Sequence, residues 1–160
     1  MTARRSVTAD PGTVAGGTFN LSSVDLNLLV ALDALLEHRN VTGIDGITWL
    51  NGTLYYNSVF FNNLYRVPVD ANGKPGTPVQ IWMDAPVKGP DGMRAANGKL
   101  LVAENGAGKV DALTINADNT AHVTVLKDGL KVPTAVEPAG DMIWIGERGA
   151  GKADSIPMPK

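Results

Sequence analysis

The chain has 160 residues, 44% apolar and 19% charged, so it can bury one sizeable core and is too apolar for disorder to be its default state. A formal charge of −2 leaves no electrostatic footprint for nucleic acid, and the lack of cysteine excludes disulfides, thiolate metal sites and a cysteine nucleophile. No apolar run approaches the roughly 20 residues that span a bilayer, so no membrane partner is expected.

Residues 1–20 are rich in Thr, Ala, Gly and Ser and are expected to be flexible. Arg4 and Arg5 are followed by no apolar segment, so the start does not read as a secretory signal, and as written the chain is expected to be cytoplasmic. Residues 24–38 carry the strongest helical period: Leu28, Leu32, Leu35 and Leu36 share one face, with Val24 and Leu29 near its edge. Ser22 or Ser23 suits the N-cap, Asp25 sits in the first turn, and Asn40 and Gly43 are stop signals. Residues 1–43 are therefore one region, a flexible N-terminus plus an amphipathic helix.

From residue 44 to 160 the pattern has period two. Short apolar runs are broken by Asn51-Gly52, Asn72-Gly73, Asn97-Gly98, Asp128-Gly129 and Gly140-Asp141, dipeptides that tolerate positive φ and favour hairpin turns. The runs repeat. Residues 46–70 match 92–116, and residues 90–117 match 133–160. The clearest pair is Glu104-Asn105-Gly106-Ala107-Gly108-Lys109 against Glu147-Arg148-Gly149-Ala150-Gly151-Lys152, which differs only at Asn105 and Arg148. Units of this length with four short strands each predict an all-β propeller of two to three blades, because a sandwich has no reason to keep constant spacing. The predicted strands are 46–50, 53–60, 63–69 and 78–83, then 92–95, 99–104, 109–115 and 121–126, with a third unit ending after its third strand. Propellers close with about 4–8 blades, so self-association to complete the ring is expected, or descent from a longer chain.

Asp45-Gly46 and Asp91-Gly92 occupy one repeat position, at the start of each innermost strand. Two carboxylates facing a central channel suit a hard cation, although Asp-Gly is equally a turn dipeptide. Other candidates have plainer readings. His122 falls in an alternating strand and reads as a surface or packing residue; Glu104 and Glu147 read as structural; Trp49, Trp82 and Trp144 are expected to pack between blades. No serine sits in a Gly-x-Ser-x-Gly elbow, and Gly106–Lys109 lacks the glycine spacing of a phosphate-binding loop.

The run Ile44–Val69, then Pro90-Asp91-Gly92-Met93 and Asn97-Gly98-Lys99-Leu100-Leu101-Val102-Ala103, resembles the regucalcin–gluconolactonase (senescence-marker-protein-like) family of sugar-lactone hydrolases. The resemblance covers the C-terminal half of such a protein. It implies a six-bladed propeller with one divalent metal in the channel, calcium foremost, with zinc or manganese as alternatives. The family's ligands are a glutamate, an asparagine in an Asn-Gly element and an aspartate in a Pro-Asp-Gly element. Asp91 matches the last, and Asp45 stands where the asparagine would be. The glutamate blade and the family's substrate-binding Arg and Asn have no counterpart, so reduced or absent activity is expected. The implied reaction is lactone hydrolysis, with Asp45 and Asp91 as metal ligands and Asp91 also as general base.

Residues 19–42, with Asp25-Leu26-Asn27-Leu28-Leu29 and Leu35-Leu36-Glu37-His38-Arg39, resemble the first helix of LysR-type transcription regulators. The recognition helix that would enter DNA has no counterpart, because strands begin after Gly43. Three functions are therefore weighed: a metal-dependent sugar-lactone hydrolase or its degenerate relative, a DNA-binding regulator remnant, and a non-catalytic structural or interaction module in which the helix covers a propeller edge.

Overall fold

The computed structural model describes residues 43–159. The helix expected over 24–38 lies outside them. The described chain is all β: β1 Ile44–Leu50, β2 Thr53–Ser58, β3 Asn63–Pro68, β4 Val79–Met83, β5 Pro90–Ala96, β6 Lys99–Glu104, β7 Lys109–Ile115, β8 Thr120–Lys127, β9 Pro133–Ala139, β10 Met142–Glu147 and β11 Lys152–Pro157. The turn chemistry behaves as read. Asn51 and Gly52 have φ of 48° and 75°, and Asn97 and Gly98 have 48° and 73°, the paired positive values that a two-residue primed hairpin turn requires.

Each run of hairpins is an antiparallel meander. β1–β4 form one four-stranded blade and β5–β8 a second, while β9–β11 form a separate three-stranded sheet. The two full blades touch edge to edge through a short parallel pairing of β4 with β8, Trp82 opposite Thr120 and Met83 opposite Ala121. The repeat is visible in the strand starts. The first three strands of the first blade begin at 44, 53 and 63, their counterparts at 90, 99 and 109, and those of the third unit at 133, 142 and 152. The offsets are thus a constant 46 and then 43. Innermost strand β1 lies beside β5, and β5 beside β9. This is a partial β-propeller of two four-stranded blades and three strands of a third.

The core fills the spaces between blades. Tyr55, Leu64 and Ile81 of the first blade pack on Met93, Leu100, Val102, Leu113 and Ala121 of the second. The other face of the second blade sends Leu101, Ala103, Val110 and Ala112 against Val136, Ile143 and Ile145 of the third. Side chains alternate faces along a strand. Leu100–Ala103 is apolar throughout because both faces of β6 are covered. Each fully buried Leu or Ile contributes roughly 1.5–3 kcal/mol from its removal from water.

Two of the three tryptophans depart from expectation. Trp49 does pack on the first blade's outer cluster of Leu54, Tyr56 and Val67. Trp82 and Trp144 are 65% and 50% exposed rather than held between blades. Trp144 occupies the repeat position of Tyr55 and Leu101, each of which points to the following blade. No described blade follows the third, so the indole faces outward. Trp82 lies on β4, an outer strand, with its neighbour Ile81 taking the core side.

Candidate functional site

The site is built where the innermost strands start. β1 carries a register irregularity between Ile44 and Ile47, and β5 carries the same one between Pro90 and Met93. These bulges bend the strand and re-aim one side chain. They hold Asp45 and Asp91, so neither Asp-Gly pair is a hairpin turn. Its glycine answers a different demand. A Cβ on Gly46 would stand 2.5 Å from the Asp91 carbonyl oxygen, and one on Gly92 would stand 2.6 Å from the Thr134 carbonyl oxygen. Adjacent innermost strands approach too closely at this level for any side chain.

The structure brings the two aspartates together. Partial burial, then the charge of Asp91 and a hydrogen bond with it, hold the Asp45 carboxyl above the ordinary carboxylate range. Two carboxylates placed this way repel unless a proton or a cation lies between them. Asp91 is fixed from two sides: its Oδ2 accepts from Asn105 Nδ2 at 2.9 Å, and its backbone carbonyl accepts from Asn57 Nδ2 at 2.7 Å. Asn57 also accepts the Gly46 N–H at 2.9 Å. The loop before β5 is tied by the Asn105 N–H to Gly89 O and by the Gly89 N–H to Asn62 Oδ1. Thr134 is the third unit's counterpart of the aspartates and adds no charge.

The donor set is the oxygens of two carboxylates; Asn105 turns its Nδ2 to Asp91 and its Oδ1 to Gly89. That set fits a hard cation such as calcium in kind, and it is short in number, since calcium takes six to eight oxygens. Among the described residues no cluster of three or more His, Asp or Glu is arranged around a common point. Sequence reasoning missed Asn57 and Asn105. Their signal was a break in the repeat: Asn57 stands where the other units have Ala103 and Gly146, and Asn105 where they have Val59 and Arg148.

The remaining candidates are structural. Glu104 Oε2 accepts the Lys88 N–H at 2.5 Å, and Glu147 Oε2 accepts the Lys131 N–H at 2.7 Å. The same carboxylate thus staples the same inter-blade loop in two units. His122 is exposed and pairs through Nδ1 with Asp84 Oδ2 at 2.5 Å, linking the outer strands of the first two blades. Asp111, beside Glu104, is pushed up to about 8 by burial and by hydrogen bonding and charge from Glu104.

Comparison with known proteins agrees with this architecture. No family model matches the chain. A calcium-binding protein, regucalcin, from Agrobacterium tumefaciens is 26% identical over 64% of this chain, with a TM-score of 0.52. A virginiamycin B lyase from Staphylococcus aureus gives 19% identity, 72% coverage and 0.52, and a gluconolactonase from Xanthomonas campestris 21%, 69% and 0.50. The chain spans 37%, 41% and 36% of those three proteins, about two-fifths of each. One stretch of 29 residues, 18% of this chain, is 69% identical to the HTH-type transcriptional regulator SyrM of Rhizobium etli and covers 9% of it. The described residues therefore have the propeller fold of regucalcin and gluconolactonase, the family that the motifs of residues 44–160 resemble.

Proposed function

We propose that this chain is a lactonase-type propeller in which Asp45 and Asp91, the latter oriented by the Asn105 amide, hold a divalent cation, calcium before zinc or manganese. The observation that carries the reading is the convergence of Asp45 and Asp91 at two matched bulges on neighbouring innermost strands. The resemblance in fold to a protein described as calcium-binding and to a gluconolactonase supports it. A divalent cation bound there would supply Lewis acidity toward a lactone carbonyl and would lower the pKa of a bound water. The chain's own residues supply the rest. Asp91 takes a proton from the water that attacks the lactone carbonyl and returns it to the ring oxygen as the acyl C–O bond breaks, Asn105 orients the Asp91 carboxylate, and Asp45 adds the second negative charge. The two carboxylates are too few to complete a calcium shell, so catalysis is expected to be weak or absent in the chain as it stands. Self-association that covers Trp144 and its face belongs to the same reading, with a sugar lactone as the substrate class.

The test is calcium titration by calorimetry, beside Asp91→Ala, followed by hydrolysis assays on a sugar lactone with calcium, zinc or manganese. Heat on titration that vanishes in the variant supports the cation site. No binding in the unaltered protein removes it, and lactone turnover no faster than buffer removes the catalytic part. A DNA-binding role rests on the short stretch shared with SyrM and is set against the charge of −2. Retention on DNA that weakens steeply with salt would favour it. A chain that neither binds cations nor retains DNA is a structural or interaction module.

A further inference from the structure

We infer that Asn57 is the positioning residue that sets the separation of the Asp45 and Asp91 carboxylates by clamping the two bulges to each other; this rests on the cation reading above. Asn57 is only 1% exposed, and both ends of its amide are used. Oδ1 accepts the Gly46 N–H, inside the β1 bulge, and Nδ2 donates to the Asp91 carbonyl, inside the β5 bulge. One side chain therefore bridges the backbone next to one candidate ligand and the backbone of the other.

The repeat shows that the fold alone does not call for this amide. At the same position the second unit has Ala103, fully buried, and the third has Gly146. A buried amide costs free energy unless its groups are bonded, so an asparagine in a slot that alanine fills elsewhere has to be explained by its bonds. Those bonds occur only between the first and second blades, the one pair whose innermost strands both carry aspartate. Space has been cleared for the clamp as well. A Cβ on Gly46 would lie 2.6 Å from Asn57 Nδ2 and 2.6 Å from the Met93 Cβ.

Asn57→Ala gives the first blade the residue of the second and removes both bonds. The expected result is a roughly 10–100-fold loss of calcium affinity by calorimetry, the range seen when groups supporting metal ligands are removed. The far-UV spectrum should stay that of the unaltered protein. Amide hydrogen exchange should speed up at Gly46 while Leu100–Ala103 stay protected. Asn57→Ser, which has one hydroxyl where two groups are needed, should give the same outcome if the alanine variant does not fold. Folded variants with unaltered calcium affinity overturn the positioning role and leave the cation site standing. Absence of calcium binding in the unaltered protein overturns both. Loss of affinity that tracks a general loss of amide protection overturns the specific role and makes Asn57 a folding residue.

Discussion

Asp111 offers a sharp test of how the second blade is held. It is 1% exposed, and as carboxylates its two oxygens and Glu104 Oε1 have no donor in contact. One proton shared by Asp111 and Glu104 removes the conflict, and Asp111 is accordingly pushed up to about 8. An unfolded aspartate titrates near 3.9, so the folded state holds a proton that the unfolded chain gives up. The stabilising effect is complete below about pH 4, falls as pH rises, and is lost once pH passes about 8. The move from near 3.9 to about 8, at about 1.4 kcal/mol for each tenfold change in proton affinity, would give about 6 kcal/mol, and local relaxation around the pair leaves on the order of 2–3 kcal/mol. Asp111→Asn keeps the shape, does not titrate, and can donate to Glu104 Oε1. Urea unfolding of both proteins at pH 4.5, 7 and 9 should show similar stability at the lowest pH and an advantage for the variant of that size at pH 9. Parallel pH profiles for the two proteins would refute the shared proton.

Three further outcomes follow from the same geometry. Calcium at a hundredfold excess over its dissociation constant should add roughly 2.7 kcal/mol of stability, raising the melting midpoint, and Asp91→Ala should abolish the rise. Gly46→Ala forces a methyl against the Asp91 carbonyl at 2.5 Å, so a loss of about 1–3 kcal/mol by denaturant unfolding is expected, with weakened calcium binding. Glu104→Ala leaves the Lys88 N–H without its acceptor, and a loss of about 1–3 kcal/mol is expected, with faster exchange at the Lys88 amide.

What the sequence made legible was whatever the repeat makes periodic. Constant offsets placed all sixteen ends of the eight predicted strands within two residues, and Asn-Gly pairs named the hairpins that join β1 to β2 and β5 to β6. The matched Asp-Gly elements located Asp45 and Asp91 on innermost strands. Three features escaped because they depend on neighbours in space. Asp-Gly also spells a turn, and only the approach of β5 to β1 shows that its glycine is there for want of room. Trp144 sits in a position that is buried in the other two units, and its exposure depends on whether a blade follows. Asn57 acts across a sequence gap of 34 residues, which no local pattern reports.

Departures from the repeat are where function should be sought, and one of them can be reversed. Each innermost strand opens with the same irregular start, yet the residue there is aspartate in the first two units and Thr134 in the third. β9 approaches β5 as β5 approaches β1: a Cβ on Gly92 would meet the Thr134 carbonyl oxygen at 2.6 Å, as one on Gly46 would meet that of Asp91 at 2.5 Å. Thr134→Asp therefore places a third carboxylate at the matching station beside Asp91. Without a cation, like charges should lower the melting midpoint at pH 8, and that loss should shrink as the pH is lowered. With calcium, the added oxygens should tighten binding beyond that of the unaltered protein and recover the lost midpoint. A variant that shows neither the pH-dependent loss nor the tighter binding would mean that the innermost-strand stations do not converge on a shared cation, and the carboxylate pair would then serve the β1–β5 contact alone.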